Sequence, residues 1–401
     1  MALFSRLRIH SLTTATRRQF STILSTDPLS SKSKTRAALT LLKSEENPEK
    51  IIEICQSASL TPEAHLDRIA FSVAITKLSR SNNFSYIQQF LDDLRSSRAD
   101  LRSSERFAGH AAVLFGQANM VDHAVRTFKE YHNDVIGHGN EGSVRVFNSL
   151  LFACYLAKDY KEVNRVFLEF PKSYNIVPNL DSYNTVIKSF CDSGSSNSGL
   201  SVLAEMDRKS IMPNSTTFGN LLAGFYKEEK YEDVGKVLDI MAKYGIRQGV
   251  GIYNSRIQSL CKLKRSSEAK ALLDGMVSRK TKPNAATYGH LIHGFCNEGD
   301  VEEAKELFKS MHDKGCEPDS HCYFTLLHYL CKSKDFETGL SLCKESIEKG
   351  WVPNIATMKS LVNGLAAAGK VDEAKELVGE IKGRFTKNVS LWDDVEAGLS
   401  Q

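Results

Sequence analysis

The chain has 401 residues, 41% apolar and 25% charged, with a formal net charge of +4. That composition is ordinary for a globular protein, but one compact core rarely grows to this length, so the chain splits into domains or stacks repeats. No stretch is long and apolar enough for a membrane-spanning helix.

Residues 1–20 carry Arg6, Arg8, Arg17 and Arg18, several Ser and Thr, and no Asp or Glu. Basic, hydroxylated and acid-poor composition is that of an organelle transit peptide. Arg18-Gln19-Phe20-Ser21 resembles a plant mitochondrial cleavage site, with cutting after Phe20. Four arginines this close together favour the mitochondrial matrix over the chloroplast. Taking them from the 52 Lys+Arg leaves 48, against 48 Asp+Glu, so residues 21–401 are formally neutral. Global charge therefore says nothing about nucleic acid. RNA binding would have to come from a local basic stripe.

Residues 21–67 read as a linker and a degenerate first helical unit covering about 34–67. Weaker copies of a unit start near Arg68 and Glu105. The unit from Val144 to Asn179 has one extra residue. From there the step is a constant 35 residues, with units beginning at Leu180, Ser215, Val250, Ala285, Ser320 and Ile355. The array is expected to run over 68–388. Val389–Leu399 reads as a last helix, so 389–401 is expected to cap the stack.

Fixed positions recur within the unit. Position 4 is aromatic in Phe147, Tyr183, Phe218, Tyr253, Tyr288 and Tyr323. Position 12 is Cys191, Cys261, Cys296 and Cys331, and position 20 is Ala124, Ala269, Ala304 and Ala374. Position 27 is Met206, Met241, Met276 and Met311. Position 31 is Gly245, Gly315 and Gly350, and position 34 is Pro213, Pro283, Pro318 and Pro353. Two antiparallel helices per unit follow, at about positions 2–13 and 17–30. Alanine at position 20, an apolar residue at 23 or 24 and methionine at 27 share one helical face. Glycine at 31 stops the second helix and proline at 34 prevents its continuation. One pair cannot bury its own apolar face, whereas stacked pairs can, in an all-α solenoid with a concave side.

The aromatic at position 4, Asn at 5, Ala at 20, Met at 27 and Pro then Asn/Asp at 34 and 35 resemble the pentatricopeptide repeat (PPR) family, over about residues 68–390. Tetratricopeptide repeats differ in period, 34 residues, and in pattern. The resemblance implies a right-handed superhelical solenoid of about 9–10 helix-turn-helix repeats. It also implies that one base of single-stranded RNA is read per repeat by positions 5 and 35. The pairs are Asn148/Asn179, Asn184/Asn214, Gly219/Gly249, Asn254/Asn284, Gly289/Asp319 and Phe324/Asn354. The last unit has Lys359, with Asn388 one residue short of position 35. Asn is a poor helix-interior residue, so its return at position 5 points to a polar role. At position 35 two readings stand side by side, a helix N-cap and a base contact. By the family's code the Asn/Asn pairs would favour pyrimidines.

Position 2 departs from the family. The usual Val or Ile that sandwiches the base is replaced by Arg145, Asp181, Thr216, Gly251, Ala286, His321 and Ala356. Stacking or clamping is worth roughly 1–3 kcal/mol per base, so its loss weakens one-base-per-repeat binding. Lys227, Lys262 and Lys332 at position 13, with Lys188 at position 9, fall on the face of positions 2 and 5 and can meet phosphates. Lysines at helix C-termini also suit the helix dipole.

The cysteines at position 12 read as small hydrophobes rather than zinc ligands. Gly364-Leu-Ala-Ala-Ala-Gly369-Lys370-Val371 nearly copies a phosphate-binding loop, but Val371 replaces its Ser/Thr and the register places it at an inter-helix turn. No catalytic set stands apart from the repeat. The expectation is a non-catalytic, P-class protein of plant mitochondria without cofactor, metal, small-molecule substrate or membrane partner. Its partner would be RNA, single-stranded or ribosomal. The chain is similar to PPR proteins of the small mitoribosomal subunit. Base contacts are expected from Asn148, Asn179, Asn184, Asn214, Asn254, Asn284, Asp319 and Asn354, and phosphate contacts from Lys188, Lys227, Lys262 and Lys332. The alternatives are a transcript-specific RNA factor and a protein-binding scaffold.

Overall fold

A computed structural model describes residues 31–59, 68–136, 142–384 and 392. The leader with Phe20, residue Asn388 and, apart from Trp392, the closing helix read over Val389–Leu399 lie outside these residues. The described residues are helical and contain no strand. The chain divides into two compact units, residues 1–213 and 214–401.

The first unit holds α1 (Ser31–Ser44), α2 (Pro48–Ser59), α3 (Arg68–Arg80), α4 (Phe84–Ser97), the short α5 (Ala99–Arg102), α6 (Glu105–Gln117) and α7 (Val121–Tyr131). A π-turn over His132–Ile136 extends α7. Then come α8 (Val144–Leu156), α9 (Tyr160–Ser173), α10 (Leu180–Asp192) and α11 (Ser196–Arg208). The second unit holds α12 (Ser215–Lys227), α13 (Tyr231–Lys243), α14 (Val250–Lys262), α15 (Ser266–Ser278), α16 (Ala285–Glu298), α17 (Val301–Asp313), α18 (Ser320–Lys332), α19 (Phe336–Glu348), α20 (Ile355–Ala367) and α21 (Val371–Arg384).

In the regular repeats the first helix of each pair occupies positions 1–13, and the second starts at position 17. The recurring side chains form the core. All six aromatics of position 4 are buried, as are the alanines of position 20 and the methionines of position 27. Tyrosine at position 4 also has a polar role. The Tyr183 hydroxyl donates to Glu205 Oε1 at 3.2 Å, and Tyr323 donates to Glu345, the equivalent carboxylate. In these two tyrosines the buried hydroxyl keeps a partner while the ring packs edge-on against the neighbouring helix, Tyr183 on Phe167 and Tyr323 on Phe308.

Two left-handed residues per repeat turn the chain. Position 31 is left-handed in Gly245, Gly315 and Gly350, and also in Ser210 and Lys280. The extra residue of the Val144 unit moves this site one place on, to Asn175. Position 15 is left-handed in Asn119, Lys158, Gly194, Glu229, Lys264, Gly299, Lys334 and Gly369. At one such turn Lys264 N donates to Cys261 O and Arg265 N to Leu260 O. Helix-end carbonyls are satisfied in this way by a left-handed residue. Gly369, in the sequence that mimics a phosphate loop, is this turn between α20 and α21.

Within each unit consecutive first helices pack on one another: α6 on α8, α12 on α14, α14 on α16, and α16 on α18. Consecutive second helices of the second unit touch only marginally. The first helices therefore form the tighter, inner layer of each unit.

Candidate nucleic-acid interface

Position 35 caps the first helix of the following repeat. Asn179, Asn214 and Asn284 accept from the backbone N–H of Ser182, Thr217 and Thr287, and these hydroxyls return a bond to the cap's own N–H in a capping box. Asp319 and Asn354 accept from Cys322 N and Thr357 N. Gly249 provides no side-chain cap. Capping satisfies helix donors that have no intrahelical partner.

The cap also orients position 5. Because Asn179 Oδ1 faces the α10 backbone N–H, its Nδ2 turns the other way. Asn148 Nδ2 donates to Asn179 Oδ1 at 3.0 Å, and Ser182 Oγ donates to Asn148 Oδ1 at 2.5 Å. The same triad recurs in the second unit: Asn254 Nδ2 donates to Asn284 Oδ1 at 3.2 Å, and Thr287 Oγ1 donates to Asn254 Oδ1 at 2.7 Å. A primary amide has two N–H donors. Each triad thus keeps one spare donor on the position 5 amide and two on the cap, and presents donors to a ligand rather than acceptors. The hydroxyl at position 3 was the element that sequence reasoning missed, although Ser182, Thr217, Thr287 and Thr357 recur visibly at one register.

The other expected residues are less alike. Asn184 is buried at 8% exposure, and it and Asn214 belong to different units. Asp319 follows Gly289, which has no side chain to pair with it. Asn354 follows the half-buried Phe324. All seven position 2 residues are exposed, and none is a branched aliphatic.

Lys188, Lys227, Lys262 and Lys332 are all exposed on the first helices. The Lys188 ammonium lies over the Tyr155 ring at 5.1 Å and that of Lys332 over Tyr329 at 5.7 Å. They belong to a larger separation of charge. In the second unit the five first helices carry Lys227, Arg256, Lys262, Lys332 and Lys359 against one acid, Glu298. Glu298 itself is turned onto the N-terminus of α15, where Ser266 N donates to it at 3.0 Å. The five second helices carry sixteen acids against nine Lys and Arg. Several lysines of the second layer are paired with carboxylates, as in Lys270–Glu303, Lys305–Asp335 and Lys344–Glu376. By contrast, Lys262, Lys332 and Lys359 make no ion pair among the described residues.

Four histidines, His290, His293, His321 and His328, share this inner layer. Burial, together with the positive field of His321, Lys262 and His293, holds the His290 imidazole below its ordinary value. The inner layer of the second unit is thus a formally cationic surface, although residues 21–401 as a whole are formally neutral.

The cysteines of position 12 are buried thiols. Burial raises Cys261 and Cys331 to about 11 and Cys296 to about 12. They remain neutral packing groups. Among the described residues no three His, Cys, Asp or Glu side chains converge for a metal.

Family profiles match along the array: the PPR repeat family over residues 178–227, 248–297 and 286–332, the pentatricopeptide repeat domain over 133–193, and the PPR repeat over 356–384. A mitochondrial pentatricopeptide repeat-containing protein of Arabidopsis thaliana is 57% identical over 94% of this chain and 93% of its own length. The chain belongs to the pentatricopeptide repeat family. Three Arabidopsis thaliana relatives carry small ribosomal subunit names, among them mL103 and mS78. The small ribosomal subunit protein mL103 is 30% identical over 55% of this chain and 52% of its own. The small ribosomal subunit protein mS78 is 29% identical over 44% of this chain and 43% of its own. Among solved structures, the PPR protein PPR10 from maize aligns with a TM-score of 0.52 at 18% identity, over 97% of this chain. This PPR chain spans 61% of that one, and the likeness concerns the fold.

Proposed function

We propose that this PPR protein is a non-catalytic RNA-binding protein of mitochondria whose inner first-helix layer holds RNA, and that the RNA is ribosomal, in the small mitoribosomal subunit. The observation that carries the reading is the separation of charge in the second unit. Phosphate contacts dominate RNA affinity and position the strand without reading sequence. A protein whose residues 21–401 are formally neutral, yet which leaves the inner Lys262, Lys332 and Lys359 without an ion pair among the described residues while pairing several of its outer lysines, has the surface such contacts require.

The two Asn/Asn/hydroxyl triads add a few oriented donors for base edges. Two triads and seven position 2 residues without a clamp give little sequence selectivity, which favours a partner defined by shape. The arginine-rich leader and the mitochondrial name of the 57% identical relative support the compartment. The ribosomal names of the relatives near 30% identity support the assembly.

The test is a density gradient of mitochondria, with and without ribonuclease, combined with sequencing of RNA crosslinked to the protein. Comigration with the small subunit and crosslinks to its rRNA are expected. Crosslinks at one site on one messenger would instead establish a transcript-specific factor. A protein-bound but RNA-free particle would establish a scaffold.

A further inference from the structure

In the second unit one junction between outer helices is open. A cavity of about 320 Å³ lies between α13 and α15, with Arg256 and Leu260 of α14 in its wall. Its apolar lining comes from Val234 and Leu260, which are buried, and from Leu238 and Leu272, which are half-buried. Tyr231 stands beside them, 39% exposed, with the Arg265 guanidinium 4.1 Å from its ring centroid.

The neighbouring junctions explain the opening. A lysine at position 21 crosses from α15 to α17, Lys270 to Glu303 at 2.5 Å, and from α17 to α19, Lys305 to Asp335 at 3.1 Å. Position 21 of the Ser215 unit is Gly235, where a Cβ would meet nothing within 4 Å. The residue equivalent to Glu303 is Glu268, which instead accepts from Arg265 at the N-cap of its own helix, at 2.6 and 2.7 Å. Among the described residues no ion pair joins α13 to α15.

A second guanidinium is left without an anion. Arg256 is half-buried in the cavity wall, where its Nε donates to the Tyr226 hydroxyl at 3.2 Å and its Nη1 to Gln248 Oε1 at 3.0 Å. Both acceptors are neutral, and Arg256 makes no ion pair among the described residues. A partly desolvated guanidinium with spare donors pairs most strongly with a carboxylate or a phosphate. The setting separates the two. α13 and α15 together carry five carboxylates against three lysines. That surface repels a strand with a charge on every nucleotide, but admits a single carboxylate beside Arg256. The aliphatic lining likewise suits a side chain, and a cavity of this size holds one large one.

We propose that this socket takes a short segment of a partner protein in which one large aliphatic or aromatic side chain lies next to Asp or Glu. The apolar side chain fills the cleft between α13 and α15, and the carboxylate pairs with Arg256. Gly235 makes the room that a position 21 lysine would close. The socket is independent of RNA on the inner layer.

The test uses the full chain and short fluorescent peptides in which one leucine or phenylalanine stands beside two glutamates, with lysines replacing the glutamates as control. By fluorescence anisotropy the acidic peptides should bind and the basic ones should not. Gly235→Leu fills the cleft from an open helical position, where leucine is the better helix former, so the fold persists. It should weaken peptide binding about tenfold or more and leave RNA affinity unchanged. Arg256→Gln should weaken peptide binding about tenfold, through loss of a charged hydrogen-bond partner. Circular dichroism checks both variants, and Gly235→Leu decides alone should Arg256→Gln not fold. Three results overturn the socket: an unaltered chain that binds no acidic peptide up to about 1 mM, lysine peptides that bind as well, or a folded Gly235→Leu that binds as the parent does. A Gly235→Leu chain that loses affinity for a random RNA pool would assign the cleft to RNA and overturn the peptide reading.

Discussion

Single residues in this protein often serve two purposes, and substitutions can separate them. Asn284 caps α16 and also orients Asn254. Asn284→Ala removes the cap and should cost about 1 kcal/mol by chemical denaturation, whereas Asn284→Ser keeps a capping oxygen and should change stability by only a few tenths. Both remove the spare amide donors. If those donors meet bases, RNA affinity falls in both variants, and an unchanged affinity in Asn284→Ser would make this residue a cap alone.

His132 is buried and neutral. Its Nδ1 donates to Phe128 O at 2.9 Å and its Nε2 accepts from Ser143 N at 3.2 Å. Burial holds its pKa below 6.5, the Phe128 carbonyl opposing this in part. Its folded value lies below its unfolded one, so the unfolded chain takes up the proton first. Stability is complete above about pH 6.5 and is lost as pH falls through the depressed value. Thermal unfolding followed from pH 8 to pH 5 should show the decline, and His132→Phe should flatten it.

At the scale of helices, packing decides what the sequence pattern leaves open. Glycine at position 12 of the Glu105 unit is not a turn residue. A Cβ on Gly116 of α6 would come within 2.4 Å of the Ala153 backbone of α8. Gly116→Ala should destabilise by about 1–3 kcal/mol, because backbone atoms on the opposing helix cannot move aside as a side-chain tip can. The turns make the opposite case. Lys264 and Lys334 adopt the left-handed conformation that Gly299 and Gly369 adopt at the same repeat position. Lys334→Gly should stabilise by about 0.5–1 kcal/mol, relief of the side-chain clash being partly offset by the greater freedom of glycine when unfolded. The denaturation midpoint measures both changes.

Over the whole molecule, net charge conceals the arrangement of charge. The 48 cations and 48 acids of residues 21–401 cancel, yet in the second unit they sort by helix layer. This predicts strongly salt-dependent RNA binding. Replacing Lys227, Lys262 and Lys332 by Gln should lower the slope of log K against log salt by about 2, at about 0.7 per phosphate contact on a single strand. Stability should hardly change, since these lysines are exposed. An unchanged slope would place the phosphates on another face.

The repeat, its register and the helix pairing are legible in the amino-acid order alone. A residue type that returns every 35 positions must serve one recurring environment, which is how position 4 reveals a core aromatic and position 35 a cap. The near absence of acids from the first helices of the second unit is also there to be read, once acids are sorted by helix. What depends on neighbours from other repeats emerges only in the folded chain. Asn148 and Asn254 are oriented by an amide and a hydroxyl about 30 residues away, a coupling no single position encodes. Lys305 and Lys332 look alike in the chain, but only the first has a carboxylate across the layer to neutralise it. Nothing in the amino-acid order singles out Phe152, whose ring stands 41% exposed beside a cavity where α6 packs on α8, because periodicity specifies a helical face and only packing specifies what that face meets.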